Sequence, residues 1–136
     1  FTDVPDWLDR YVAWAYARGY ANGVSATRFG SAAPISAVEY EEFLLRAMGY
    51  SVAGVDNYAT SLERALTREL LTKGEYVMLR DGNFLRAHVA YVSYYALEAP
   101  LQGGEQTLAQ RLTAAGVMTE AQLASARETV LSQRME

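Results

Sequence analysis

The 136-residue chain contains no cysteine, so neither a disulfide nor a thiolate metal site is available to it. It has a single histidine, His88. Without a cysteine or a second histidine it cannot complete a usual zinc site, and no motif places a serine to use it as a base. His88 therefore reads as a helix-surface residue, and the chain as one with no catalytic group, no metal and no cofactor. Basic residues are also scarce: 12 Lys and Arg against 16 Asp and Glu leave a net charge of −4, which excludes the clustered cations of a nucleic-acid surface. Long apolar runs are missing too. The longest, "YVAWAYA" from Tyr11 to Ala17, falls far short of the roughly 18 residues of a membrane span, and no part of these residues reads as a signal peptide. "RDGN" from Arg80 to Asn83 lacks the remaining ligands of a calcium loop and reads as a turn. Gly19 and Gly23 are not followed by the Lys and Ser or Thr of a phosphate loop.

What remains is a globular composition, 51% hydrophobic and 21% charged, of a length that buries one core. The spacing of apolar residues is helical throughout, and the expected fold class is all-α. Trp7, Leu8, Tyr11, Val12, Trp14 and Ala15 share one broad face of a first helix closed by Gly19. By spacing alone, Trp7 and Trp14 are core residues on that buried face. A loop, "YANGVSATRFGSAAP", leads to a second helix over about 37–48, started by a capping box of Ser36 and Glu39, with Tyr40, Phe43, Leu44 and Ala47 facing inward. The adjacent Glu41 and Glu42 diverge on this helix and form no two-carboxylate site by themselves.

A second cycle follows. Leu62, Ala65, Leu66, Glu69 and Leu70 have helical spacing, Gly74 is the stop, "EYVMLRDG" is the loop, and Asn83 is an available N-cap for a helix carrying Val89, Val92, Ala96 and Leu97. "YVSYY" sets Tyr91, Tyr94 and Tyr95 around that helix, so some of them are exposed or meet a partner, and an oligomer through this face is one reading. The third cycle is abbreviated. "TLAQRLTAAG" gives a short helix with Leu108 and Leu112, and a last helix begins at a capping box of Thr119 and Gln122, with Leu123, Ala126, Val130 and Leu131 on its apolar side. The chain reads as a single domain, 1–136, with repeats over about 1–50, 56–99 and 105–136.

These residues resemble the S-layer homology family. Phe1, Asp3 and Val4 match its Phe-x-Asp-Val opening, Trp7 its aromatic, Gly19 and Gly23 its turn, and Phe29 and Pro34 lie in its loop. "FLRAH" and "GVMTEAQL" carry the resemblance into the second and third repeats. It implies an extracellular module of the bacterial cell surface or cell wall, with three repeats about a pseudo-threefold axis, that binds pyruvylated wall polysaccharide in grooves between repeats. In the family's Ile-Thr-Arg-Ala-Glu motif the arginine is a ligand of the acidic sugar, a task that suits a planar, permanently charged fork. The first repeat, "ISAVE", has Ala37 at that place and the third, "MTEAQ", has Glu120, while the second keeps Arg86 and puts Leu85 and His88 at the box positions.

The resemblance thus implies a glycan site at Arg86, assisted by Trp7 as a stacking platform and by backbone groups near Gly74. The competing reading is a structural or protein-interaction module that packs on other domains of a larger surface protein.

Overall fold

Asp6 and Asp9 favour the N-terminus of the first helix, where the backbone dipole is positive, and Gly19 accepts the left-handed turn after its last residue at φ +72°. The helix between them, α1, runs Asp6–Ala17. In the computed structural model, which describes residues 1–51, 58–130 and 133–136, six more α-helices follow. They are α2 (Ala37–Ala47), α3 (Ser61–Thr67), α4 (Lys73–Asp81), α5 (Arg86–Leu97), α6 (Leu108–Ala114) and α7 (Glu120–Thr129). Among the described residues there is no strand, only one isolated bridge between Pro100 and Thr107. The fold is all-α. The expected start of the second repeat, about residue 56, and Leu131 lie outside the described residues.

Helices α2 and α3 pack together at the centre, α4 lies on α3, α5 on α2, and α6 on α5. Their shared core contains Leu45 of α2 and its C-cap Met48, Leu62 and Ala65 of α3, Leu79 of α4 and Val92 of α5. The inward face of α2 is turned from the expected one. Tyr40, Phe43, Leu44 and Ala47 are only half-buried, while Ala37, Glu41, Glu42, Leu45, Arg46 and Met48 are buried. Glu42 and Arg46 face inward as an ion pair, which apolar spacing alone does not register, and Glu41 is buried beside them without a cation.

The opening residues tie α1 to its loop. Both Asp3 carboxylate oxygens accept backbone N–H groups, from Phe29 at 2.7 Å and Gly30 at 2.8 Å, which holds this carboxyl below its ordinary range. The Phe1 ring packs edge-on against Tyr16 and tilted against Phe29. Gly23 leaves room for it: a Cβ there would lie 2.7 Å from the Phe1 ring.

The second cycle is corrected most. Glu69, at φ +60°, is in the left-handed conformation just after α3, so a turn ends that helix without the glycine that would signal it. "EYVMLRDG" is the body of α4, not a loop, and Gly74 lies inside the helix, not at a stop. The signal overlooked is Thr72 with Glu75, a full capping box whose third residue happens to be glycine. Leu85, not Asn83, is the N-cap of α5. The boxes at Ser36–Glu39 and Thr119–Gln122 form as expected, and Thr107–Gln110 makes another before α6. Helix α7 ends at Thr129, and 133–136 returns across α4 and α5 in a non-helical course.

Candidate functional site

Helix α1 turns Leu8, Val12 and Ala15 inward and leaves its largest side chains in water. Trp7 is 72% exposed, Tyr11 54% and Trp14 53%, which overturns the placing of both tryptophans in the core. The buried sector is filled by small aliphatic groups, and the rings nearby come from Phe1, before the helix, and Phe29 of the loop. At about 100° per residue, Trp7, Tyr11 and Trp14 form one row about 10 Å long. Arg10 and Arg18 fall in the same sector, with their guanidiniums 4.7 Å from the Tyr11 ring centre and 4.6 Å from that of Trp14. The result is a row of exposed rings edged by two cations, with Asp6 and Asp9 on the neighbouring side of the helix.

Arg86 is exposed at the first position of α5, and its side chain makes no hydrogen bond or ion pair among the described residues. The box behind it is half made. The Leu85 N–H donates to His88 Nδ1 at 3.0 Å, whereas the Leu85 side chain can accept nothing in return. The bond requires a lone pair on Nδ1, which places the imidazole proton on Nε2. Lys73, which by sequence stands just before the expected stop at Gly74, is exposed at the corresponding first position of α4.

Gly74 does not offer its backbone to solvent. Its N–H donates to the Glu136 carbonyl at 2.9 Å. Trp7, Gly74 and Arg86 belong to α1, α4 and α5, and no hydrogen bond, ion pair or ring contact joins them to one another among the described residues.

The buried charges were not foreseen as a group. Glu42 is paired with Arg46, one turn along the same helix at 3.1 Å, and with Arg64 of α3, while Arg46 also lies over the Tyr58 ring. Glu75 accepts both nitrogens of the Arg134 fork at 2.6 and 2.9 Å, the Thr72 N–H and the Tyr91 hydroxyl. Burial pushes the Glu75 carboxyl up, but Arg134, Thr72 and Tyr91 outweigh it and hold it below its ordinary range. Glu41 is the exception. It is 3% exposed and its Oε2 has no hydrogen-bond partner; burial, with Glu75 nearby adding repulsion, pushes its carboxyl up to about 7. The carboxylate whose charge Glu41 feels comes from another helix. Among the described residues no group of three His, Asp or Glu side chains is placed to hold a metal ion, and no helix is long and apolar enough to cross a membrane.

A cleft of about 610 Å³ lies between α1, its loop and α2, walled by Leu8, Phe29, Ile35, Phe43 and Tyr58. Among the described residues its one charged lining residue is Glu39, which is occupied by Ser36, and none of them offers a cation to an acidic ligand. Tyr91, Tyr94 and Tyr95 are all half-buried: Tyr91 contacts Glu75 and Met135, and Tyr95 lies under Arg134.

The chain matches no family model, no curated protein and no solved structure.

Proposed function

We propose that the chain is a non-catalytic module of the bacterial cell surface, located at the cell wall, that recognises an acidic saccharide such as a pyruvylated wall polysaccharide. The observation that carries this reading is the α1 row, in which Trp7, Tyr11 and Trp14 present exposed rings beside Arg10 and Arg18. A guanidinium stacked on a ring keeps N–H groups at its edge for a carboxylate, and an exposed indole offers an apolar face to a sugar ring. The net charge of −4 favours a discrete acidic group meeting local arginines over a broad anionic surface. The likeness of repeat one to S-layer homology repeats supports the same class of ligand and a pseudo-threefold packing of the helix pairs. Arg86 and Lys73, exposed at the first positions of α5 and α4, supply further cations for a second point of contact.

The test is retention on purified wall sacculi with and without their polysaccharide. Retention only on the polysaccharide-bearing preparation is expected, weakened at least tenfold by Trp7→Ala or by Arg10→Ala with Arg18→Ala, and less by Arg86→Ala. Retention unchanged in all these variants, or equal on both preparations, overturns the reading.

A second reading, a degenerate module that packs on other domains of a larger surface protein, is favoured by one specific observation. The Gly74 N–H expected to assist a ligand is already taken by the chain's own Glu136 carbonyl, and Ala37 and Glu120 stand where cations are expected. Equal retention on both sacculus preparations supports this alternative.

A further inference from the structure

Residues Gln133 to Glu136 lie across α4 and α5 in a way that ordinary packing does not require. The contacts are polar and point by point. Arg134 grips Glu75 with two nitrogens and also donates to the Leu70 carbonyl at 3.1 Å, with its guanidinium 4.9 Å from the Tyr95 ring centre. The next residue is held at both ends of its peptide unit: the Met135 N–H donates to the Tyr91 hydroxyl at 2.8 Å, and its carbonyl accepts from Thr72 Oγ1 at 2.7 Å. The Glu136 carbonyl then accepts the Gly74 N–H.

The seat is shaped for this backbone. A Cβ at residue 74 would lie 2.2 Å from the Glu136 carbonyl oxygen and 2.8 Å from Met135 Cγ, so only glycine admits the segment. At the bottom of the seat is a carboxylate that is 1% exposed, whereas the Met135 side chain remains 41% exposed. Apolar burial is therefore a small part of the attachment, and a buried acid, a hydroxyl pair and a helix-start N–H are the larger part. Charge-assisted forks and main-chain capture of this kind are how folded domains read short linear peptides.

We infer that the first turn of α4, with Tyr91 and Tyr95 of α5, is a receptor for an extended arginine-bearing peptide segment, occupied in cis by residues 133–136. Arginine is the specifying residue because a buried carboxylate left without a cation is costly, and lysine lacks the planar fork that meets both of its oxygens. Tethering gives the cis segment a high effective concentration, so a free peptide competes poorly until the tether's grip is weakened. This inference is independent of the saccharide reading, which rests on α1.

The experiment uses the full chain and the peptide Gln-Arg-Met-Glu, acetylated and amidated, followed by amide chemical shifts. Arg134→Ala vacates the arginine pocket. The peptide is expected to bind this variant saturably, shifting the Gly74 amide, and to bind the native chain at least tenfold more weakly. A peptide with alanine for arginine is expected to bind neither. A helical Arg134→Ala chain that gives no saturable shift, or that binds the alanine peptide equally well, overturns the proposal. Should Arg134→Ala fail to fold, Gly74→Ala in the otherwise native chain decides it. Hydrogen exchange at the Met135 amide is then expected to accelerate at least tenfold while the helical signal is kept, and unchanged protection there overturns the proposal.

Discussion

Glu42 and Glu75 are equally deep carboxylates on two neighbouring parts of the fold, and they are neutralised by opposite strategies. Around Glu42 the cations are near in sequence or in the adjoining helix: Arg46 is one turn away and Arg64 approaches from α3. Around Glu75 the cation is Arg134, 59 residues along the chain, and next to it Glu41 is left with an oxygen that nothing satisfies. The first arrangement is locked by the helices that form the core. The second depends on a short surface segment staying in place, so the two ends of one core should respond differently to the same insult.

The largest effect is expected at the locked end. Glu42→Ala removes the buried carboxylate that Arg46 and Arg64 share and should destabilise the fold by about 4 kcal/mol in urea unfolding. A loss below 1 kcal/mol would erase the distinction between the two ends.

Next is pH. The Glu41 carboxyl is raised from an ordinary 4.5 to about 7, so the folded chain holds this proton more tightly than the unfolded one. Stability from this group is complete below pH 4.5 and is lost as pH rises toward 7, by about 3 kcal/mol in all. Glu75, lowered, acts in the other sense: its contribution is present above 4.5 and is lost as pH falls through its folded value. Thermal unfolding between pH 5 and 8 should show a falling melting temperature, and Glu41→Gln should flatten the curve.

Arg134→Ala should cost about 2 kcal/mol at pH 7, less than breaking a fully buried pair because this side chain is 34% exposed. The smallest effect separates the two capping boxes. Ser36→Ala should cost about 1 kcal/mol, the loss of a cap alone. Thr72→Ala should cost about 2 kcal/mol because Thr72 also donates to Met135. Equal losses in denaturant midpoints would mean that the segment over α4 adds nothing to its cap.

The same contrast explains what the sequence makes legible. Local rules recover local features: the start of α2 from Ser36 and Glu39, the start of α7 from Thr119 and Gln122, the limits of α1 and the all-α class. They fail where a residue's role is set by something distant. Gly74 reads as a stop because glycine usually is one, yet it sits inside α4 to make room for Glu136. Glu69 gives no sign that it turns the chain after α3. The burial of Glu41, Glu42 and Glu75 is not legible, because the arginines that pair with Glu42 and Glu75 are not visible as partners until the helices are placed. Trp7 and Trp14 fail in the opposite direction, since periodicity marks a face as apolar but says nothing of whether any element is there to cover it. Arg86 stands out through its place in the motif, whereas Lys73 gives no sign of opening a helix because Gly74 follows it.

The reach from Glu75 to residue 134 also has a consequence for synthesis. As the chain emerges from the ribosome, α2, α3 and α4 are complete while the guanidinium that neutralises Glu75 has yet to be made. Until then that carboxylate must stay solvated or protonated, so the nascent chain cannot close this end of its interior. Synthesis of residue 134, not the assembly of the helices, sets when this end of the core can become dry.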